Sequence, residues 1–147
     1  MGPGTFSPEA EESPMILSVV VPCYNEEAAI RLFYEAISAM LRPLMEDGAV
    51  TPEFIFVDDG SGDSTRAALK DLAARDSRVR YIIFSRNFGK EAALLAGLQK
   101  ARGRYVVAMD ADLQDPPSLI PSMLQAVASG EFDCAGSRRV TRKGEPP

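Results

Sequence analysis

Two aspartates one residue apart, Asp110 and Asp112, are the sharpest chemical feature of the sequence, and Gln114 comes next at the same spacing. In extended backbone, residues two apart point the same way, so these three side chains can face one side. All three offer hard oxygen ligands, which suit Mg²⁺ or Mn²⁺ better than zinc or copper. The alternative is a solvated strand end before a helix N-terminus, where the helix dipole favours acidic residues.

A second acidic loop, DDGSGDST, occupies residues 58–65. Its glycines permit a tight turn, and Asp63 or a neighbouring hydroxyl can cap the next helix. The adjacent carboxylates of Asp58 and Asp59 repel each other unless a cation or a ligand offsets their charge. An aspartate here could accept hydrogen bonds from a nucleobase or a ribose hydroxyl. The loop lacks the Gly-Lys-Ser/Thr ending of a phosphate-binding P-loop.

Two further polar segments, PCYNEE and SRNFGK, come directly after predicted strands. In the first, Tyr24 offers a wall for a nucleobase and Glu26 a polar contact, although Asn25 could instead cap the next helix. In the second, Arg86 or Lys90 could neutralise a diphosphate, although a lysine at a helix start is more often simply solvated. For both segments, a purely structural role therefore remains an alternative to ligand binding.

The composition limits what these groups can do. The chain has 147 residues, of which 46% are hydrophobic and 25% charged, as in an ordinary globular domain. A net charge of -5 argues against a nucleic-acid partner. The absence of histidine excludes a Ser-His-Asp triad, a Cys-His dyad and any His-ligated zinc site within the chain. Cys23 and Cys134 lie in apolar runs and are predicted to be buried free thiols. No apolar run approaches the roughly 18 to 20 residues of a membrane span.

Apolar strand patterns alternate with helical patterns along the chain. The predicted strands are 16–22, 53–57, 79–84, 105–109 and 132–135, and the predicted helices are 26–45, 63–75, 90–101 and 117–129. Pro43 is expected to kink or end the first helix. This alternation predicts an α/β fold with a mostly parallel sheet and helices on both faces. Because ligands in such folds bind at the carboxyl ends of the strands, all the polar motifs are expected at one edge.

The two ends of the chain differ from the middle. Residues 1–14 are rich in Pro, Gly and Glu without periodicity, which predicts a disordered leader. Residues 140–147 read as a basic loop, and together with Arg138 and Arg139 they form the one dense basic cluster of the sequence. This cluster is either a solvated tail or an anion site for a phosphate or for acidic lipid headgroups.

Taken in order, the motifs resemble those of family 2 glycosyltransferases. They are PCYNE at 22–26, VDDGSGDST at 57–65, RNFGKE at 86–91, DADLQDPP at 110–117 and GSR at 136–138. The resemblance is to the branch that makes polyprenyl-phosphate sugars, namely enzymes like dolichol-phosphate mannose synthase and bactoprenol glucosyltransferase. It covers about residues 16–139, and five motifs at five successive strand ends are specific where any one of them is weak.

The resemblance implies a GT-A fold, a UDP- or GDP-hexose donor and a Mg²⁺ or Mn²⁺ ion. The donor-binding residues that it implies are Pro22, Tyr24, Glu26, Phe56, Asp58, Asp110, Ala111, Asp112, Gln114 and Arg138. By the same resemblance, Asp110 and Asp112 are the catalytic pair. Asp112 and Gln114 hold the metal directly with Asp110 close to metal and donor, and Arg138 reaches toward a phosphate.

The implied reaction is a metal-dependent, inverting transfer of the hexose to a polyprenyl phosphate. Such an acceptor is already largely anionic at pH 7, so it needs little general base. A sugar hydroxyl acceptor is the alternative, and it would need a carboxylate base from beyond residue 147. Residues 15–139 are then expected to be the nucleotide-sugar-binding part, ending before an acceptor-side segment.

The resemblance further implies that the longer protein works on the cytoplasmic side of a membrane. Membrane contact is expected through later segments, so that this stretch is itself soluble. A homo-oligomer is also compatible with the family.

Three other classes compete with this interpretation. A non-catalytic nucleotide-binding module would keep the pocket and bind nucleotide without regard to metal. A phosphoacceptor receiver domain needs acids after its first strand and a lysine after its fifth, whereas here the acid pairs come after the second and fourth strands. A nucleotidyltransferase normally carries a Gly-rich loop after its first strand, where this chain has CYNE.

Overall fold

A computed structural model describes residues 15–136, which carry four strands and four helices in strict alternation. In chain order they are β1 (Met15–Cys23), α1 (Glu27–Glu46), β2 (Val50–Asp58), α2 (Thr65–Arg75), β3 (Val79–Ile83), α3 (Lys90–Lys100), β4 (Tyr105–Ala108) and α4 (Leu119–Ala128). The chain divides after Asp115 into a sheet unit and a second unit that contains α4. The predicted leader at 1–14 and the basic loop at 140–147 lie outside the described residues.

The sheet has the order β3-β2-β1-β4 with every pair parallel, which confirms the predicted α/β class. The chain moves from β1 toward β3 on one side and then returns to place β4 on the other side of β1. Strand order therefore reverses between β1 and β4. In doubly wound folds, the crevice at such a reversal is where ligands bind.

Alternate residues of β2 supply the core on each face of the sheet. Phe54 and Phe56 stack on each other with ring centroids 6.1 Å apart, and Phe56 meets Phe33 of α1 edge to face. On the opposite face, Val57 packs with Ala93 of α3. Side chains in a strand alternate between faces, so one apolar run serves both layers. Helices on both faces are thereby confirmed.

The structure differs from the predicted secondary structure at two places. Pro43 does not end the first helix, which continues to Glu46. Proline removes only its own N–H and here lies within the last turn, where the helix is about to end. Residues 132–135 form no strand, and Phe132 is 56% exposed. A strand is stabilised by hydrogen bonds and side-chain contacts with a neighbouring strand. Within the described structure, residues 132–135 pair with no other strand.

The two cysteines have different environments. Cys23 is buried at the end of β1, as predicted, and both cysteines are free. Cys134 is exposed, so its predicted burial is wrong. Its apolar run is too short to form an element that could bury it.

In the second unit, α4 begins two residues after the Pro116-Pro117 pair. The amide of Leu119 donates to the Pro116 carbonyl at 3.1 Å, and that of Ile120 donates to the Pro117 carbonyl at 3.1 Å. Prolines before the first turn cost no helical hydrogen bond, as the sequence indicated. Within residues 15–136, no helix is both long enough and apolar enough to cross a membrane.

A buried carboxylate, Glu53, joins three strands and the α3–β4 connection. It accepts hydrogen bonds from the Ser18 hydroxyl at 2.6 Å, from Arg80 Nη1 at 3.0 Å and from the Arg102 amide at 2.6 Å. The Ser18 oxygen in turn accepts from the Gly103 amide at 2.8 Å. Burial raises the pKa of Glu53, but these hydrogen bonds outweigh it and hold that pKa below its ordinary value. A carboxylate with this many donors stabilises the fold only while it is ionised.

We expect Glu53→Gln to lower the free energy of unfolding by about 2–4 kcal/mol, because it removes the charge that two arginines and an amide were placed to meet. Urea denaturation at pH 7 measures this, with the exposed Glu35→Gln as a control that changes little. Because the folded pKa of Glu53 is depressed, its contribution is complete above the ordinary value of 4.5 and is lost as pH falls through the folded value. The gap between wild type and E53Q should therefore narrow in acid, and a constant gap would contradict this assignment.

Candidate functional site

A cleft of about 220 Å³ opens at the carboxyl edge of the sheet, where the strand order reverses. Its lining residues are Pro22, Cys23, Tyr24, Glu26, Asp59, Lys90, Asp110 and Asp112. One wall comes after β1 and another after β4, the two strands that flank the reversal. Five of the sequence-predicted site residues therefore meet here, since Pro22, Tyr24, Glu26, Asp110 and Asp112 all line the same cleft.

The Asp-Ala-Asp segment brings both carboxylates to the cleft while Ala111 is buried between them. The next turn puts Leu113 at a φ of 60°. The Gln114 amide then donates to Asp112 Oδ1 at 3.2 Å. The side chain of Gln114 is exposed and is not among the residues that line the cleft. Its predicted contact with a metal stays a prediction.

The cleft also holds a lysine. Lys90 Nζ lies 2.7 Å from Asp110 Oδ1, with 59% and 42% of the two side chains exposed. Arg86, the other candidate cation of its loop, instead lies over the Phe88 ring at 3.9 Å and donates to the Asn87 carbonyl. Of the two candidates, Lys90 is therefore the one that reaches the acids.

Negative charge accumulates in the cleft. Burial, followed by the charges of Asp112, Asp110 and Asp63, raises the pKa of Glu26. A divalent cation held by carboxylates would relieve this repulsion. No three acidic or thiol groups within residues 15–136 converge into a full cation site. Two carboxylates completed by substrate phosphates and water are what Mg²⁺ typically uses, so the donor set fits such an ion.

The thiol in the cleft, Cys23, is buried in surroundings that disfavour its ionised form. Burial, with the charges of Glu26 and Asp58, raises the pKa of Cys23. Its Sγ donates to the Val21 carbonyl at 3.4 Å. The thiolate is the reactive form of cysteine, and this environment suppresses it.

Asp58 and Phe56, two of the predicted donor-binding residues, are buried and do not line the cleft. Asp58 is fully buried, and its Oδ1 accepts from the Ser61 amide at 3.1 Å. Its Oδ2 is 3.8 Å from Arg66 Nε, too far for a hydrogen bond, and has no hydrogen-bond partner among the described residues. Buried polar atoms usually have partners, so this oxygen retains capacity for a ligand donor. The Phe56 side chain packs in the core with Phe33 and does not line the cleft.

The neighbouring Asp59 has a role that sequence reasoning missed. Its carboxylate accepts from the Phe88 amide at 2.7 Å, the Gly89 amide at 3.1 Å and Asn87 Nδ2 at 3.2 Å. These donors, with Arg66 beside Asp58, offset the paired charge without any ligand. Asp59 thereby fixes the loop that presents Lys90. The adjacent acids were the available sequence signal, but the hydrogen-bond donors to Asp59 are 28 or more positions away.

The first and second loops are also joined. Asn25, at a φ of 53°, accepts from the Gly62 amide at 2.9 Å through its Oδ1, and its own amide donates to Ser61 Oγ at 2.9 Å. The Glu26 amide donates to Thr65 Oγ1 at 2.9 Å. Asn25 therefore does not cap α1, which begins after Glu26 without a side-chain cap. The acidic loop instead satisfies the free amides at the start of that helix.

The third loop closes against the second. Gly60 has a φ of 77°, and a Cβ placed there would lie 2.4 Å from the Arg86 carbonyl carbon and 2.5 Å from the Asn87 nitrogen. Glycine is required on both counts. The three loops after β1, β2 and β3 thus contact one another at the cleft, and we call this set of loops the interlocked rim. Arg138, the remaining predicted site residue, lies outside the described residues.

Comparison with known proteins gives a consistent result. The family model described as Glycosyl transferase family 2 matches residues 18–147. The putative glycosyltransferase CsbB of Bacillus subtilis is 41% identical over 130 residues, which make up 88% of this chain and 38% of that protein. A bactoprenol glucosyl transferase of Shigella phage SfV is 42% identical over 116 residues, 79% of this chain and 36% of that protein. The chain spans less than two fifths of the length of these curated relatives.

A solved structure shares the fold. The mannosyltransferase PcManGT from Pyrobaculum calidifontis, in complex with GDP-Man and Mn²⁺, superimposes with a TM-score of 0.56 at 26% identity. The match covers 71% of this chain and 33% of that chain. The likeness confirms the predicted GT-A fold.

Proposed function

Because this chain belongs to glycosyltransferase family 2, we propose that it is the donor-binding part of an enzyme that transfers a hexose from a nucleotide sugar to a polyprenyl phosphate. The observation that carries the proposal is the cleft at the strand reversal, where Tyr24 and Glu26 face Asp110 and Asp112. The names of the relatives support the acceptor class, since one acts on bactoprenol. The GDP-Man in a structural neighbour supports the donor class.

In this proposal, the base of the donor contacts an aromatic side chain, and the rest of the donor contacts polar and charged groups. Tyr24, with 49% of its surface exposed, offers an aromatic face to the base. The buried Oδ2 of Asp58 has no hydrogen-bond partner among the described residues and lies 3.8 Å from Arg66 Nε, and it is the proposed acceptor for a nucleoside N–H or hydroxyl. Lys90 is the cation that meets the diphosphate. A UDP- or GDP-linked hexose satisfies these contacts equally.

Asp110, Asp112 and Gln114 are the residues that would hold Mg²⁺ or Mn²⁺. When bound, the ion neutralises the charge that develops on the departing diphosphate. Asp110 and Asp112 thus act on the donor side of the reaction, and Glu26 adds negative charge that favours the cation.

The acceptor is proposed to attack the anomeric carbon directly, with inversion. A polyprenyl phosphate is largely ionised at neutral pH, so no protein base is required in the cleft. This matches a sequence without histidine and a cysteine held as a thiol. The lipid acceptor also implies that the longer protein works at a membrane surface, and Arg138 is proposed to reach toward a phosphate of the donor or of the acceptor.

A second candidate is a non-catalytic nucleotide-binding module. The specific observation in its favour is the Lys90–Asp110 ion pair, which neutralises one of the two acids without a metal. Such a module would bind nucleotide equally well with and without a divalent cation.

The test is a thermal-shift panel of UDP-, GDP- and dTDP-sugars on this chain, with and without Mn²⁺. We expect one nucleotide class to raise the melting temperature by several degrees, as ligand in large excess over its Kd should, and to do so far more with Mn²⁺ present. Adenosine diphosphate-linked sugar serves as the mismatched control. A shift indifferent to Mn²⁺ would favour the binding module, and no shift with any nucleotide would overturn both functions.

A further inference from the structure

Lys90 contacts the very carboxylate that a metal would need. We infer that Lys90 is exchanged between Asp110 and the diphosphate of the donor, so that nucleotide binding releases Asp110 to the metal. The inference rests on the proposed function. It adds that donor binding moves Lys90 away from Asp110 and that Asp110 can then bind the metal. Three structural observations carry it.

The first observation is the competition for Asp110. Nζ of Lys90 lies 2.7 Å from Asp110 Oδ1, the distance of a charge-assisted hydrogen bond. A divalent cation on that oxygen would lie close to the ammonium group, and the two like charges would repel each other. The Lys90 ion pair and a metal bound at Asp110 Oδ1 therefore weaken each other.

The second observation is that Lys90 has a fixed backbone and a free side chain. It is the first residue of α3, and the loop before it is held by the three hydrogen-bond donors that converge on Asp59. Its side chain is 59% exposed and bears its charge on a flexible four-carbon stem. An exposed ion pair contributes little free energy, so the exchange costs little.

The third observation is that Lys90 is misplaced for helix stability. The N-terminus of a helix carries partial positive charge, which disfavours a cation there. Glu91 in the same turn is the residue type that this position favours. A lysine at this point is therefore accounted for by the anionic groups that it faces, of which Asp110 is one, rather than by the helix.

The exchange has a thermodynamic consequence. If the diphosphate removes Lys90 from Asp110, nucleotide raises metal affinity, and metal raises nucleotide affinity by the same factor. Without the lysine, metal alone should bind better and nucleotide alone worse. The factor by which nucleotide and metal raise each other's affinity should then be smaller, by the amount that depends on Lys90.

The experiment compares wild type with Lys90→Met, using Lys70→Met on the exposed face of α2 as the matched control. Electron paramagnetic resonance of free Mn²⁺ gives metal affinity, and calorimetry gives the affinity for UDP and GDP with and without Mn²⁺. We expect K90M to bind Mn²⁺ alone about 3–5-fold more tightly, to bind nucleotide alone more weakly, and to lose about 5-fold of the coupling. K70M should match wild type in every measurement.

Each outcome has a distinct meaning. If wild type binds nucleotide with Mn²⁺ while K90M shows unchanged metal affinity and unchanged coupling, the exchange is overturned and the proposed function stands. If wild type binds neither UDP nor GDP in the presence of Mn²⁺, the proposed function fails and the inference fails with it. Tighter Mn²⁺ binding by K90M together with reduced coupling supports both.

Discussion

Alanine in place of Gly60 should cost more than about 3 kcal/mol of unfolding free energy, a large fraction of the roughly 5–15 kcal/mol by which a typical domain is stable. Two physical costs combine at this position. The φ of 77° disfavours any side chain, and the added Cβ would lie 2.4 Å from the Arg86 carbonyl carbon. Because the clash is with backbone, no rotamer change relieves it. The loops after β2 and β3 would have to separate.

Two other glycines serve as controls that separate these costs. Gly48 has a φ of 74° with nothing near the added Cβ, so Gly48→Ala should cost about 1 kcal/mol for conformation alone. Gly62 has open space and no unfavourable φ, so Gly62→Ala should be close to neutral. Urea denaturation of the three variants measures the series. Equal losses for G60A and G48A would show that the loops are not in tight contact.

Replacing Asp112 with alanine should lower sugar transfer by about 10³-fold or more, because it removes a carboxylate that is proposed to hold a charge-stabilising ion beside the leaving group. The measurement is transfer from a nucleotide sugar to polyprenyl phosphate by a protein extended to the length of the relatives. Asp112 is exposed and its carboxylate accepts only the nearby Gln114 amide among the contacts of the described residues. The variant should therefore keep the stability of wild type.

The control for Asp112→Ala is Asp71→Ala, which removes an exposed carboxylate paired with Arg31 and Arg75 on the helical surface. It should transfer sugar at the wild-type rate. If D112A also retained transfer within a few-fold of wild type, the assignment of Asp112 to the metal would be wrong, whatever the nucleotide affinity.

Local patterns were sufficient to predict the architecture. Apolar residues at Ile30, Phe33, Ile37 and Leu41 are all buried in α1 as their spacing requires. Each long β-branched run became a parallel strand, and the polar residue after each strand lay at the same edge. The reason is that parallel strands with helical crossovers leave few alternative arrangements.

The failures occurred where stability depends on partners distant in sequence. Residues 132–135 are apolar enough for a strand, but a strand needs a neighbour, and Cys134 is left exposed. Pro43 is tolerated because it lies in the last turn of α1, which ends three residues later at Glu46. Such outcomes are set by tertiary context rather than by local propensity.

The sequence allowed the position of several site residues to be predicted, but not the hydrogen bonds that join the loops. Tyr24, Asp110 and Asp112 line the cleft, since a parallel strand delivers the residues directly after it to the carboxyl edge of the sheet. The purposes of Asp59 and Asn25 could not be read from the sequence, because both bond to loops more than 25 positions away. Their residue types predicted a ligand contact and a helix cap, and the structure uses them to join loops.

The interlocked rim also determines where this protein can vary. Asn25, Gly60 and Asp59 each hold a neighbouring loop, so a change at any of them disturbs more than one wall of the cleft. Tyr24 stands on the same cleft with half of its surface open to solvent. Because Tyr24 is the proposed wall for the base, a library randomised at position 24 should keep most members folded while altering their preference among bases. Substitutions that change donor preference should thus be tolerated at position 24 more readily than at the positions that join the loops.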